Sequence, residues 1–139
     1  MAVSVYLANK IKTASPLELV IIAYDGTINF LKEAKKNMNS KEYRKAGLFI
    51  VKARKIIQEL RKALDMDIEE ISNNLFALYR TMDALLLSAS VTKDPQLIDR
   101  VVKMAFSLKE SWQGISGLPA AATRKDTAVA DYSYLNTYK

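Results

Sequence analysis

Apolar residues recur along this chain at steps of three and four, in four blocks separated by short polar breaks. The first block opens on Ser15-Pro16-Leu17-Glu18. Ser15 is placed to cap a helix, Pro16 suits its first position, and Glu18 completes an S-x-x-E capping box. Leu17, Ile21, Tyr24, Ile28, Leu31 and Met38 then trace one helical stripe, ending near Asn37–Asn39. Ser40 is the next capping candidate. Behind it Ala46, Phe49/Ile50, Ala53, Ile56/Ile57, Leu60 and Leu64 predict a helix over about 41–64. Asp65-Met66-Asp67 reads as a tight connection, with Asp67 as the next cap and Glu69 and Glu70 in the first turn, where the helix dipole favours acids. Ile68, Ile71, Leu75, Leu78, Met82, Leu85 and Ala89 predict a third helix ending near Ser90–Thr92. Asp94-Pro95 starts a fourth with a face of Leu97, Val101, Met104/Ala105, Leu108 and Trp112. Gly114, Gly117 and Pro119 stop it.

Four amphipathic helices with short turns predict an all-α protein, an antiparallel up-and-down four-helix bundle over residues 15–117. Residues 1–14 are an N-terminal arm, and 118–139 form a flexible or docked tail without a stripe. Gly26 and Gly47 interrupt helices, and their expected role is the close approach of another helix.

The blocks carry more apolar residues than one stripe each requires. Between Ser72 and Val91 the only charges are Arg80 and Asp83. Phe76 and Leu87 project away from the third stripe, with Tyr79 and Leu86 flanking it. On the fourth helix Ile98, Val102 and Phe106 recur off the main face, and on the first helix Leu19, Ile22 and Phe30 do the same. A broad core, or contacts with the arm and tail, absorbs part of this surplus. The remainder predicts an exposed interaction surface. The expected groove is lined by Leu19, Ile22, Phe76, Tyr79, Leu86, Leu87, Ile98, Val102 and Phe106, and it would take a partner's amphipathic helix.

Composition narrows the chemistry. The 139 residues include no Cys and no His. Disulfides, zinc centres and Glu-x-x-His diiron sites are therefore not expected, and nucleophilic triads lose their usual base. The cluster Asp65-x-Asp67-x-Glu69-Glu70 lacks the central Gly and distal Glu of a calcium loop, and helix capping explains it. The expectation is a protein that is not an enzyme and takes no cofactor and no metal. No apolar run approaches the roughly 20 residues of a membrane span, and the N-terminus lacks a signal-peptide core, which predicts a cytoplasmic protein. The net charge is +6, and Lys41, Arg44, Lys45, Lys52, Arg54, Lys55, Arg61 and Lys62 share the second helix. Only Tyr43 and Phe49 interleave this run as stacking residues, so it reads as a solvated face and not as a nucleic-acid surface. An acidic protein partner is a further reading.

Several motifs keep order and spacing over residues 6–112. They are Tyr6, Asn9, Thr13-Ala14-Ser15-Pro16-x-Glu18-Leu19, Tyr24-Asp25-Gly26, Lys52-Ala53-Arg54-Lys55-Ile56-Ile57-Gln58-Glu59-Leu60, Leu64-Asp65, Asn74-Leu75-x-x-Leu78-Tyr79-x-x-Met82, and Trp112. In these the chain resembles the flagellin export chaperone family, FliS. The resemblance implies a bundle that binds the disordered C-terminal segment of flagellin, prevents premature polymerisation and delivers its client to the flagellar type III export apparatus. It further implies an arm that covers part of the groove or docks on the export gate protein FlhA, with Val3, Tyr6 and Asn9 as its candidate residues. Ala23 stands where the family often has a larger apolar residue, which predicts a shallower groove there. The Tyr-rich tail is expected to fold back and mimic the client. A helical adaptor for another amphipathic segment is the alternative, and homodimerisation stays open.

Overall fold

The computed structural model describes residues 2–114, with 2–7 described by their backbone alone. Five helices follow one another: α1 (Ala2–Thr13), α2 (Pro16–Asn39), α3 (Tyr43–Lys62), α4 (Glu69–Thr92) and α5 (Pro95–Gly114). The N-terminal arm is thus helical over most of its length. Residues 115–139, and with them the expected tail, lie outside the described residues.

The start of α2 follows the capping logic. Glu18 N–H donates to Ser15 Oγ at 3.2 Å, and Ser15 N–H donates to Glu18 Oε1 at 3.4 Å. Two of the helix's first orphan donors are thereby satisfied. The next two starts depart from expectation. Ser40 closes α2, Lys41 turns into the left-handed region at φ 61°, and Glu42 precedes α3 without a side-chain cap bond. Asp67 likewise does not cap α4. Its amide donates to Asp65 Oδ1 at 3.1 Å, and Ile68 takes the N-cap position. A short connection can satisfy its polar groups inside the turn, and both turns do so. Before α5, Asp94 Oδ1 accepts from Gln96 N–H at 2.9 Å, as the Asp-Pro signal predicts.

α2 packs on α3 and α5, and α4 packs on the same two helices, so the four long helices close a ring. The links are only Ser40–Glu42, Ala63–Ile68 and Lys93–Asp94. Helices of 20 to 24 residues joined so tightly and packed side by side run antiparallel. Ion pairs tie the ring across its seams: Arg54–Asp83 at 2.8 Å between α3 and α4, and Lys35–Asp99 at 2.9 Å and Lys109–Asp25 at 2.6 Å between α2 and α5.

α2 carries eleven buried residues, against four to six on each of the other long helices, which makes it the most enclosed element of the described ring. Tyr24 lies at the centre. Its hydroxyl is 2.6 Å from that of Tyr79, and its ring meets Trp112 edge-on at 6.2 Å between centroids. Buried Thr27 donates to the Ala23 carbonyl at 2.9 Å, and buried Ser72 donates to the Asp65 carbonyl, so neither hydroxyl is stranded.

Gly47 does not mark a tight crossing. A Cβ there would meet only Ser90 Oγ, at 4.0 Å. Gly47→Ala is therefore expected to stabilise the fold by about 1 kcal/mol through helix propensity, measured by urea denaturation.

Candidate functional site

Of the nine side chains expected in the groove, five are core residues: Leu19, Ile22, Tyr79, Leu86 and Ile98 are all buried. On α4 and α5 the physical source is the rotation of each helix about its axis. On α4 the buried set is Ser72, Leu75, Tyr79, Met82, Leu86 and Ala89. It shares Leu75, Met82 and Ala89 with the expected stripe but replaces Ile71, Leu78 and Leu85 by their next neighbours. On α5 the buried set is Ile98, Val101, Ala105 and Trp112, so Ile98 takes the place of Leu97. On α2, Leu19 and Ile22 are covered because this helix is enclosed on more than one side. Ala23 is fully buried as well, so its small size bears on core packing and not on groove depth.

Phe76, Leu87, Val102 and Phe106 keep solvent access, but they do not converge. Phe76 lies under the Arg61 guanidinium, 5.7 Å from its ring centroid, on the side of α4 that faces α3. Leu87 sits on the same side, between Asp83, paired with Arg54, and Ser90, opposite Gly47. Val102 and Phe106 lie on the other side of the ring. Lys109 Nζ is 6.0 Å from the Phe106 ring and bonds Asp25 of α2, which fixes this pair at the α2/α5 seam. In a closed ring of four, the α3/α4 and α2/α5 seams are opposite one another.

A third seam holds an open cleft. Between α4 and α5, Leu78, Lys103, Met104, Ser107, Leu108 and Ser111 line a cleft of about 310 Å³. Leu78 remains exposed, while Met104 and Leu108 pack partly against the core and partly face the cleft. Sequence reasoning assigned these three to core stripes and so missed the cleft. The available signal was the apolarity of α4 on every side: a helix with core-quality residues on two faces serves two surroundings. The floor is aliphatic and the rim carries two serine hydroxyls and one lysine. Such a lining can seat the apolar side chains of a helix and pair its polar groups at the edges. Among the described residues no group of carboxylates is arranged to hold a metal, and no helix is long and apolar enough to cross a membrane.

The arm residues are placed in part. Asn9 is exposed on α1, while the side chains of Val3 and Tyr6 lie outside the description. α1 is held by Ile11, and the linker by Ala14, both packed against the core.

Comparison with known proteins agrees with this architecture. The profile of a family described as "Flagellar protein FliS" matches residues 1–119. The flagellar secretion chaperone FliSB of Pseudomonas aeruginosa is 33% identical over 108 residues, covering 77% of this chain and 86% of the relative. The flagellar secretion chaperone FliS of Bacillus subtilis is 28% identical over 108 residues, covering 78% and 80%. A solved structure described as a flagellar chaperone from bacteria superposes with a TM-score of 0.68 at 24% identity, covering 81% of this chain and 93% of the other, and that likeness bears on the fold.

Proposed function

Because the chain belongs to the FliS family, whose members are flagellar secretion chaperones and not enzymes, we propose that it binds the C-terminal segment of flagellin in the cytoplasm, holds it unpolymerised and delivers it to the export apparatus. The observation that carries this reading is the α4/α5 cleft, whose apolar floor of Leu78, Met104 and Leu108 is left incompletely covered by the bundle itself. A client segment that orders only on binding can cover such a surface and be released again, because ordering it offsets part of the contact free energy. Phe106 and Val102 extend the accessible apolar surface onto the other side of α5, where a segment wrapping that helix would meet them. The exposed position of Asn9 supports a second contact, between α1 and the export gate protein FlhA, for which Val3 and Tyr6 are the other candidates implied by the family resemblance.

Titration with a peptide covering the C-terminal segment of the organism's own flagellin tests the main reading. The parent chain should bind. Leu78→Asp and Met104→Asp should each weaken binding at least about tenfold, a loss of about 1.4 kcal/mol. No binding by the parent at about 100 μM peptide would reject the client. Full affinity in both variants would reject the cleft.

A further inference from the structure

The α3/α4 seam, on the far side of α4 from the cleft, carries a second apolar surface with a charge pattern of its own. On α3, Arg44, Leu48, Val51 and Lys55 fall on one exposed ridge at helical spacing. On α4, Arg80, Ala84, Leu87 and Val91 repeat the spacing, and all four are exposed. The Arg54–Asp83 pair and the approach of Ser90 to Gly47 set the antiparallel register. This register puts Val51 near the level of Leu87 along the two helices, and Leu48 near the level of Val91. Their exposures are 58% for Leu48, 59% for Val51, 49% for Leu87 and 73% for Val91, high for four apolar residues in one patch. Gly47, with no side chain, opens the floor between the ridges.

Both ends of this patch are basic. Arg44 and Lys45 stand at one end, Lys55 and Arg80 at the other. Among the described residues none of the four forms an ion pair, whereas Arg54 in the seam is already engaged by Asp83. We propose that this seam is a second docking surface, and that its occupant is an amphipathic helix of another protein with apolar residues at three-and-four spacing between acidic ends.

Charge selects this occupant over the others. A second copy of the chain packed here about a two-fold axis would set basic ends against basic ends, which is repulsive. A nucleic acid would lay phosphates across an aliphatic centre with no ring to stack on. Two ridges flanking a seam match the width of one helix, 8–10 Å between axes, better than they match a flat membrane surface. The ridge from Arg44 to Lys55 is about 16 Å long, room for about three turns.

The probe is a synthetic peptide of about four turns, with leucines at three-and-four spacing and glutamates at both ends, titrated against the full chain by fluorescence anisotropy. Binding that weakens with added salt is the expected result. Val51→Asp and Leu87→Asp should each raise Kd at least about tenfold, and Arg44→Glu with Lys55→Glu should do the same and remove the salt dependence. These sites are exposed, and thermal melts would verify that each variant stays folded. Leu78→Asp, which probes the α4/α5 cleft, should leave this Kd unchanged, so failure of the flagellin reading and failure of this one are separable. The proposal is overturned if the parent does not bind the peptide at about 1 mM, or if the seam variants bind as well as the parent. It is overturned as well if the parent is a dimer that Val51→Asp dissociates, or if anionic vesicles or duplex DNA occupy the seam in place of the peptide.

Discussion

Leu86→Asp is expected to unfold the protein, while Leu87→Asp next to it changes stability by no more than about 0.5 kcal/mol. The contrast follows from one hundred degrees of rotation on α4. Leu86 has no solvent exposure and sits in the ring's core with Tyr79 and Met82. Replacing it removes a buried leucine, at about 2–5 kcal/mol, and places a carboxylate where nothing basic is buried beside it, at several kcal/mol more. Together these approach the whole stability of an ordinary domain, about 5–15 kcal/mol. Leu87 already faces water, so a carboxylate there keeps its hydration. Circular dichroism melts of the two variants decide the matter. A cooperative, near-parental melt for Leu86→Asp would show that the α4 face is assigned wrongly.

Trp112→Ala is expected to cost about 3–5 kcal/mol. Trp112 is buried on the last turns of α5, shortly before Gly114 ends the helix, and no other buried residue follows it within α5. Its ring packs edge-on against Tyr24, so its loss opens a cavity beside the Tyr24–Tyr79 hydroxyl pair. At the usual relation between stability and melting temperature for a domain of this size, the midpoint should fall by about 15 °C. Phe106→Ala, six residues earlier but exposed, should leave it almost unmoved. Equal shifts in the two variants would contradict the packing described.

The number and type of the long helices were legible because they rest on local signals. The Ser15–Glu18 box is complete within four residues, and Asp94-Pro95 is equally local. Helix rotation was not legible to the same degree. α4 contains two interleaved stripes, one through Ile71, Leu78 and Leu85 and one through Ser72, Tyr79 and Leu86, both using Leu75, Met82 and Ala89. The first is more apolar, and a count of apolar residues chooses it. The folded chain buries the second, in which the Tyr79 hydroxyl meets that of Tyr24 and Ser72 reaches the Asp65 carbonyl. A polar group that finds a partner can be buried, and the partner lies on another helix or in a turn. The burial of Tyr79, Leu86 and Ile98 was hidden for the same reason. Which apolar residues face outward depends on rotation, and which of them share a seam depends on register between helices, marked here by ion pairs distant in sequence.

The self-sufficient start of α2 bears on how the N-terminal segment behaves. Because Ser15 and Glu18 satisfy each other's end of that helix, none of those bonds is borrowed from α1. Only Ala14 and Ser15 separate the two rods. Lifting the leading rod would break the contact of Ile11 with the core but none of the bonds that wind the first turn behind it.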